Sequence, residues 1–543
     1  MPSRTRQRAR YLISPWDKRW LWGTSLFVAL VTGIFYWRTL HPGVGPYLDS
    51  IEYQLTTLVL GVSHPPGYPL YTWLGHLFVK LLPFGNPAFR LNLLSAVASI
   101  ITVMLLHRLI AQLTRSLTMA TLGALSLAFA VRFWYQATYS ELYPLYNTFV
   151  AAELLTLILF MQTKKPRYYF LSAAIYAFSF GVNAPAIVLL PMWLWAVLIT
   201  DHRMLTRPRN FALTAGIVLL AAAQYLYVPL RALGTPAPKF CNFCPTSWAE
   251  VPVFLTGQRW WGISFGLPMK YWLQRWADSG YQLMLQFWPV GVMLGGIGLW
   301  TLLRRRLQIG LTFVWGLAGT WFFVVTYNVV DWDDFMTPVY VIFTPLIAIG
   351  MQTVWRWIQS RVALQRPLLV PAVRIASIVL VAIWLVIVVQ NNYPLADQSH
   401  KGEWHAWARE LLPQFEEDAW LLTPPTATDG FVQTWVLRYI SWAEDLHPEM
   451  TVVYLPGGEF EPPGPPPGYI TWAEAQAHLA EQPVYVIERD DERLTQYVLH
   501  PIRRSYDDWV IGYRIVGERT ESGIEPWVSP ARWEAIQDDV ILP

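Results

Sequence analysis

The sequence predicts an all-α polytopic membrane protein with about eleven transmembrane helices and a small C-terminal α/β domain. Three observations predict this class. Of the 543 residues, 54% are apolar and only 14% are charged, which is too apolar for a soluble protein of this size. Apolar stretches of nearly membrane-spanning length recur up to residue 390. After residue 390 the chain becomes charged and proline-rich, and short β-like runs alternate with helical ones.

The first predicted span follows a basic N-terminus, residues 1–19. A signal peptide would also begin with basic residues, but the run from Trp20 to Tyr36 is long, aromatic and without a small-residue cleavage site. We therefore interpret it as an uncleaved transmembrane helix. It opens a membrane domain over residues 20–390, whose predicted spans are residues 20–36, 88–111, 118–133, 146–162, 168–183, 184–200, 210–230, 283–303, 309–327, 337–355 and 369–390. Residues 68–82 are apolar but short, and they predict an interfacial or re-entrant helix.

Basic residues occupy alternate connections between these spans. The clusters are Arg108/Arg115, Lys164/Lys165/Arg167, Arg203/Arg207/Arg209, Arg304/Arg305/Arg306 and Arg356/Arg361/Arg366. Because cytoplasmic loops carry the excess of Lys and Arg, this alternation predicts a cytoplasmic N-terminus and an extracytoplasmic C-terminal domain. The net charge is only +3, and the basic clusters are explained by topology, so we predict no nucleic-acid partner.

Polar residues on the opposite, outer side predict a functional site. They come from several separate connections: Asp49, Glu52, His64, Tyr68, Glu141, Asn183, Arg231, Asp331, Asp333 and Asp334. Each has an ordinary explanation, because helix ends need polar groups to satisfy free backbone donors and acceptors. Their accumulation on one face, opposite connections that are almost purely basic, favours binding and catalysis.

Asp49 is the predicted catalytic residue. A carboxylate at the outer end of the first span, among Tyr47, Ile51 and Tyr53, can have a raised pKa and accept a proton from a hydroxyl. The alternative is that Asp49 and Ser50 cap the helix that follows, with Glu52 in its first turn.

The other outer residues are predicted to bind substrate. His64 begins a proline-rich loop, His64-Pro-Pro-Gly-Tyr-Pro69, which cannot be regular helix and either presents the imidazole to a polar head group or is a structural turn. Glu141 lies between Tyr139 and Tyr143 and predicts a second acid or a ligand of a sugar hydroxyl, although interfacial anchoring explains the tyrosines equally well.

Arg231 and the acidic run predict contacts to phosphate and metal. The Arg231 guanidinium matches a lipid phosphate, or snorkels to bulk lipid head groups. The pattern Asp331-Trp-Asp333-Asp334 can hold a divalent cation, but it is a common pattern and no cofactor follows firmly from it.

The chain has two cysteines, Cys241 and Cys244. These favour a local disulfide or two free thiols over a metal site.

The C-terminal domain, residues 391–543, is predicted as alternating strands and helices. The predicted strands are Ala419–Leu422, Thr451–Leu455, Val484–Ile487 and Trp509–Ile515, and the predicted helices are Gly402–Phe415, Phe431–Glu444 and Trp472–Glu481. Residues Pro456–Pro467 predict a loop. No phosphate-binding loop or nucleophile motif occurs in this part of the sequence.

Several segments together resemble a known family. They are Leu48-Asp-Ser-Ile-Glu-Tyr53, His64-Pro-Pro-Gly-Tyr-Pro-Leu-Tyr71, Arg90-Leu-Asn-Leu-Leu-Ser95, Tyr139-Ser-Glu-Leu-Tyr-Pro-Leu-Tyr146, Tyr227-Val-Pro-Leu-Arg-Ala232 and Asp331-Trp-Asp-Asp-Phe-Met-Thr-Pro338. Over residues 20–355 the chain resembles bacterial membrane proteins related to the eukaryotic transmembrane O-mannosyltransferase of plexin-type domains, of the GT-C glycosyltransferase superfamily. At Phe243 the sequence departs from the resemblance, which leads us to expect Trp there.

The resemblance implies a GT-C-like membrane enzyme of the bacterial plasma membrane. It would move a sugar, mannose-like, from a polyprenyl-phosphate donor to a hydroxyl of a protein, lipid or glycan, at the extracytoplasmic face, with inversion and with Asp49 as catalytic residue. Two other functions stay open: transport or flipping of lipid-linked sugars, and a non-catalytic role in membrane assembly.

Overall fold

A computed structural model describes residues 15–45, 47–365, 370–423, 429–454, 472–479, 482–487, 494–503 and 510–542. Most of the predicted basic N-terminus and the predicted loop Pro456–Pro467 lie outside these residues. The chain folds into a helical bundle up to residue 396, followed by a smaller region that contains a β-sheet.

In the part of the chain that the structure describes, the bundle contains seventeen helices, joined in places by 3₁₀ turns. They are α1 (Pro15–Thr39), α2 (Leu48–Val59), α3 (Pro69–Leu81), α4 (Pro87–Thr114), α5 (Leu117–Ala128), α6 (Val131–Gln136), α7 (Leu142–Thr163), α8 (Pro166–Ser179), α9 (Leu190–Asp201), α10 (Arg203–Thr206), α11 (Pro208–Ala223), α12 (Tyr227–Ala232), α13 (Val251–Leu255), α14 (Trp272–Arg305), α15 (Leu307–Thr326), α16 (Thr337–Gln365) and α17 (Val370–Ala396).

Among the described residues, nine helical stretches are long and apolar enough to cross a membrane. The chain is an integral membrane protein, as its composition predicts. Two of the eleven predicted spans are shorter helices: α5 has 12 residues and α8 has 14. At 1.5 Å per residue, neither covers a hydrocarbon core of about 30 Å alone. The predicted interfacial helix at residues 68–82 is observed as α3.

Small residues bring the longest helices of the bundle together. Gly298 of α14 packs against the backbone of α16 so closely that a methyl group in its place would overlap the carbonyl oxygen of Leu346. Gly350 of α16 meets Leu294 of α14 in the same way. Lipid chains are as apolar as the side chains, so close van der Waals packing of this kind stabilises membrane helix pairs.

The region after residue 396 contains a mixed sheet and four helices among the described residues. Its elements are α18 (Glu403–Leu411), β1 (Trp420–Thr423), α19 (Asp429–Glu444), β2 (Thr451–Tyr454), α20 (Trp472–His478), β3 (Val484–Val486), β4 (Tyr497–Arg503), β5 (Val510–Thr520), β6 (Gly523–Pro526) and α21 (Pro530–Ile536). The strand order is β2-β1-β3-β5-β4, with β6 paired to β5. Strand β1 runs parallel to β2 and β3, whereas the other pairs are antiparallel.

The predicted α/β character of this region is confirmed. All four predicted strands and all three predicted helices are observed, with ends shifted by a few residues. Two strands were not predicted. Strand β4 contains Pro501, which cannot donate to a ladder and is typical of sheet edges, and β6 consists of the exposed residues Gly523-Ile-Glu-Pro526.

The C-terminal region docks on the first loop of the bundle. Helix α19 packs against α2, and the buried side chains of Ile51 and Leu55 meet those of Val436 and Ile440. The backbone amide of Ala88 donates to the hydroxyl of Tyr439 at 2.5 Å. The predicted catalytic helix is therefore covered on one side by a segment from the far end of the chain.

Candidate active site

Helix α2 carries Asp49 in its first turn, but Asp49 is not the helix cap. The N-cap residue is Tyr47, whose side chain makes no capping hydrogen bond. The hydroxyl of Ser50 instead lies 2.7 Å from that of Ser140. The predicted alternative, that Asp49 and Ser50 cap this helix, does not describe the observed contacts, so the carboxylate of Asp49 is free to face the neighbouring cavity.

A cavity of about 530 Å³ opens beside this turn. Its wall is formed by α2, the loop after α2, the start of α7, the loop between α12 and α14, and the connection between α15 and α16. Six predicted site residues line it: Asp49, Glu52, His64, Tyr68, Asn183 and Asp331. Much of the remaining wall is aromatic, with Tyr53, Tyr143, Phe243, Trp260, Trp261, Phe265, Phe323, Tyr327, Phe335 and Trp435. Aromatic walls with a few convergent polar groups are typical of ligand sites.

Glu52, His64 and Tyr68 form a connected network. One carboxylate oxygen of Glu52 lies 2.8 Å from Nδ1 of His64, and the other accepts from the His64 backbone amide at 2.5 Å. On the far side of the ring, Nε2 lies 3.0 Å from the hydroxyl of Tyr68. Glu52 therefore holds both the backbone and the ring of His64, so the imidazole has a defined orientation at the cavity wall.

The network determines the charge of His64. Burial by itself lowers the pKa of His64, but the charge and hydrogen bond of Glu52 more than compensate and raise it to about 9. At neutral pH the ring is protonated on both nitrogens, so that Nδ1 donates to Glu52 and Nε2 donates to the Tyr68 hydroxyl. Among the described residues that line the cavity, His64 alone carries a positive charge.

Asp49 has the properties predicted for a general base. Burial raises the pKa of its carboxyl group to about 6, the negative charges of Glu52 and Asp331 act in the same direction, and His64 opposes them. A carboxylate with this pKa is ionised at pH 7 and still accepts a proton readily.

Glu141 lies outside the residues that line the cavity. Its side chain accepts from the backbone amide of Leu142 at 3.3 Å, and its own amide donates to the hydroxyl of Ser95 at 3.2 Å. Burial, together with the charge of Asp49, raises the pKa of Glu141 well above its usual range. The structure thus shows Glu141 as the cap of α7, close enough to Asp49 to interact electrostatically, and its predicted contact with a sugar stays a prediction.

Arg231 also lies outside the residues that line the cavity. Its Nε donates to the carbonyl of Leu60 at 2.7 Å, and a terminal nitrogen donates to that of Val59 at 3.3 Å. These carbonyls lie at the C-terminal end of α2. No further turn of helix follows to supply backbone donors for them. The predicted phosphate contact of Arg231 stays a prediction, and the observed contacts show that the residue holds the C-terminal end of α2.

The three aspartates of the acidic run have different surroundings. Asp331 lines the cavity. Asp333 and Asp334 pair with Arg132, whose terminal nitrogen lies 3.4 Å and 2.7 Å from their carboxylate oxygens. The two acids of the D-x-D pattern thus have different partners, which does not favour the shared cation predicted for Asp331, Asp333 and Asp334.

Another group of possible metal ligands is present in the described residues. Asp49, Glu52 and His64 each offer one ligand atom, and these atoms lie within 4.8 Å of one another. However, metal binding requires a deprotonated imidazole, and Glu52 and Tyr68 already occupy both ring nitrogens of His64. The carboxylates of Asp49 and Glu52 fit a divalent cation better than the protonated ring does.

The sequence analysis missed three cavity residues. Trp260 donates to the carbonyl of Pro65 at 2.8 Å, and its ring meets that of His64 edge-on. The side-chain oxygen of Asn242 is buried and makes no hydrogen bond with any described residue. Trp435 comes from α19 of the C-terminal region. The adjacent tryptophans at positions 260 and 261 could have indicated Trp260 from the sequence, whereas no local pattern indicated Trp435.

A disulfide between Cys241 and Cys244 anchors one part of this wall. The segment before it pairs with the chain that leads to His64: the amide of Val62 donates to the carbonyl of Phe240, and the amide of Asn242 donates to that of Val62. The disulfide loop thus carries Asn242 and Phe243 to the cavity.

Part of the bundle is similar in sequence to known proteins. Residues 49–206 match a family model described as the N-terminal domain of protein O-mannosyl-transferase TMEM260. Protein O-mannosyl-transferase TMEM260 of Mus musculus is 30% identical over 226 residues, which are 40% of this chain and 31% of that protein. Protein O-mannosyl-transferase tmem260 of Dictyostelium discoideum is 22% identical over 533 residues, which are 83% of this chain and 62% of that protein. The chain therefore spans less than two thirds of the length of these relatives.

Solved structures identify the fold. ArnT from Cupriavidus metallidurans, in a crystal structure bound to undecaprenyl phosphate, superimposes with a TM-score of 0.62 over 90% of this chain and 97% of ArnT, at 12% identity. Its apo structure gives a TM-score of 0.58 over 92% of this chain and 98% of ArnT, also at 12% identity. The chain has the GT-C fold. The resemblance noted in the sequence is confirmed.

The matched family segment contains part of the predicted site. It begins at Asp49 and includes Glu52, His64, Tyr68 and Asn183, but it ends before Asp331. Within it, the Arg90–Ser95 motif is structural. Asn92 accepts from Gln54 and from the Ser140 backbone amide, and donates to carbonyls of the first loop. Asn92 of this motif therefore holds the first loop against α4.

Proposed function

We propose that the protein is a membrane glycosyltransferase that moves a sugar from a polyprenyl-phosphate donor to an acceptor hydroxyl. One observation carries the proposal: the carboxylate of Asp49, with a pKa of about 6, lies in an aromatic cavity next to the protonated, oriented ring of His64. This combination supplies a base for a hydroxyl proton and a cation for a phosphate. The GT-C fold and the similarity to protein O-mannosyl-transferases support it.

The donor would be bound by charge and by aromatic surface. ArnT has the same fold and was crystallised with undecaprenyl phosphate. In this chain, His64 is the cavity cation that would attract the phosphate, while Glu52 keeps it protonated. Aromatic side chains such as Tyr53 and Trp260 offer flat apolar surfaces that suit the faces of a sugar ring. The lipid tail would leave the cavity toward the membrane.

The proposed reaction is a single displacement. The acceptor oxygen attacks the anomeric carbon while Asp49 takes the hydroxyl proton. A new carbon–oxygen bond forms, the bond between the anomeric carbon and the phosphate oxygen breaks, and the polyprenyl phosphate leaves with the bonding electrons. Attack from the side opposite the leaving group inverts the anomeric configuration. The cavity contributes by holding both substrates in line.

The first substrates to test are a mannosyl donor and a protein hydroxyl, because the relatives are named protein O-mannosyl-transferases. We place the reaction at the extracytoplasmic face of a bacterial-type plasma membrane, with the N-terminus in the cytoplasm, since the basic connections lie at the other end of the bundle.

A divalent cation would be held by Asp49 and Glu52. Loss of transfer in EDTA that Mg²⁺ or Mn²⁺ restores would support such a cation, and full activity in EDTA would remove it.

The decisive experiment compares Asp49→Asn with wild type. The purified protein in lipid nanodiscs is given radiolabelled polyprenyl-phosphate mannose and a Ser/Thr-containing peptide. Removal of a general base typically lowers the rate by about 10² to 10⁴, so we expect a loss in this range. Asp278→Asn is the matched control, since Asp278 is an exposed outer carboxylate that does not line the cavity, and it should transfer as wild type does. Equal transfer by Asp49→Asn and wild type would exclude Asp49 as the base.

A further inference from the structure

A second large cavity lies at the other end of the bundle. It has a volume of about 570 Å³ and is enclosed by α5, α14, α16 and α17. Helix α4 connects the two ends: it begins at Pro87, beside the first loop, and ends at Thr114, next to Arg115 of this cavity. Its 28 residues span about 42 Å. The second cavity is thus separate from the candidate active site and belongs to the opposite leaflet.

The cavity has one polar and one apolar end. Its polar residues are Arg115, Ser116, Thr118, Gln352, Arg356, Gln359 and Ser377. Deeper along the bundle, apolar side chains line the wall, among them Leu122, Val290, Leu294 and Val381. This gradient from guanidinium groups to aliphatic side chains, directed along the membrane normal, matches an amphiphile whose head group is at the interface and whose chain is in the bilayer.

The charges at the polar end are uncompensated within the described part of the chain. No Asp or Glu lines the cavity. The side chains of Arg115 and Arg356 make no ion pair, hydrogen bond or ring contact with another described residue, unlike that of Arg306 nearby, which donates to the carbonyl of Leu113. Guanidinium groups are weakly hydrated and bind phosphate with paired donors, so two of them at the mouth favour an anionic head group over a zwitterionic one.

Loose packing of α17 leaves room for a lipid chain. Only 6% of the most apolar window of this helix is buried, so most of its surface faces the membrane or the cavity. An acyl chain could enter sideways between α17 and α16 without displacing a packed side chain.

From these observations we infer that the cavity binds an anionic phospholipid of the leaflet opposite the candidate active site, with its phosphate between Arg115 and Arg356 and one acyl chain along α16. This lipid site is distinct from the proposed donor site, and its test does not depend on glycosyl transfer.

Native mass spectrometry of the full chain tests the inference. The protein is released from nanodiscs made of equal parts phosphatidylglycerol and phosphatidylcholine, and the lipids that stay bound are counted. With roughly 1 kcal/mol per basic residue near an anionic lipid, two arginines correspond to a preference for phosphatidylglycerol of about thirtyfold. The double variant Arg115→Gln/Arg356→Gln should lose this preference.

A matched control removes the same charge at the same end of the bundle. Arg304 and Arg361 stack on Trp300 and Trp357 and do not line the cavity, so Arg304→Gln/Arg361→Gln should keep the preference. Equal loss in both double variants would mean a general charge effect and would overturn the inference. Displacement of phosphatidylglycerol by millimolar inorganic phosphate would show that the site takes free phosphate, which also overturns it.

A second measurement uses the unmodified protein, so that misfolding of a variant cannot hide the answer. Phosphatidylglycerol with a photoreactive group on its acyl chain should crosslink to residues 351–359 or 116–122. Crosslinks distributed over all lipid-facing helices would contradict a specific site.

Discussion

At the scale of single residues, the environment of Asp49 decides its chemistry. A surface carboxylate would be a weak base at neutral pH, whereas burial beside Glu52 and Asp331 raises the pKa of Asp49 to about 6. His64 limits that rise, because its own pKa of about 9 keeps it positively charged. The two residues therefore keep each other in the ionisation states that the proposed reaction needs.

This pair of ionisations predicts a bell-shaped pH profile for transfer. Below pH 6 the rate should fall about tenfold per pH unit, because Asp49 becomes protonated and cannot act as a base. Above pH 9 the rate should fall because His64 loses the proton that gives it a charge toward the phosphate. The measurement is kcat/KM for the mannosyl donor from pH 4.5 to 10.5. In His64→Gln the alkaline limb should disappear, and the acidic limb should move to higher pH because the charge that lowers the pKa of Asp49 is lost. An unchanged alkaline limb would show that another group causes it.

At the scale of elements, α2 is held at both ends by distant segments. Asn92 of α4 accepts a hydrogen bond from Gln54 of α2, and Arg231 donates to the carbonyls at the C-terminal end of α2. Tyr227, at the start of α12, also donates to the carbonyl of Gly61. The helix that carries the candidate base thus depends on its neighbours for its position.

Arg231→Ala distinguishes helix support from phosphate binding. If the observed hydrogen bonds are its main role, the variant should lower the free energy of unfolding by about 2 kcal/mol and leave the KM for the donor unchanged. A large rise in that KM with unchanged thermal stability would instead confirm the phosphate contact predicted from the sequence. Arg38→Ala is the control, because Arg38 is exposed in the last turn of α1 and should change neither quantity.

Helix α19 brings Trp435 from the C-terminal region into the cavity wall. Since this region is predicted to lie outside the membrane, we expect Trp435 to contact the acceptor rather than the lipid-linked donor. Trp435→Ala should raise the acceptor KM about tenfold, and Trp435→Phe should restore most of the loss. Trp407→Ala removes an indole that packs against the same hydrophobic cluster but does not line the cavity. A similar rise in acceptor KM for this control would show that the effect is indirect.

At the scale of the whole molecule, the two cavities lie at opposite ends of the bundle, and the distribution of charge predicts which end faces the cytoplasm. A single cysteine replacing Ser522, in the exposed turn between β5 and β6, should react with a membrane-impermeant maleimide in intact cells. One replacing Lys165, between α7 and α8, should react only after permeabilisation. The native cysteines are bonded to each other and should not react. The reverse pattern would invert the proposed orientation.

Much of the fold was predictable because the signals are local. Hydrophobic length locates the spans, basic connections give their sidedness, and alternating β-like and helical runs mark the C-terminal region. Part of the predicted site lies together in the structure for the same reason. Asp49, Glu52, His64 and Tyr68 are close in the sequence, so one turn of helix and one proline-rich loop bring them together at the cavity.

The sequence by itself determined the membrane class, the spans and the acid at the start of α2. Only the tertiary structure decided which polar residues share the cavity. Glu141 and Arg231 bind backbone groups, Asp333 and Asp334 pair with Arg132, and Trp435 enters from the far end of the chain. The physical reason is that any polar side chain near a membrane must find a partner, and whether that partner is a backbone group, an ion pair or a substrate depends on contacts between segments far apart in the sequence.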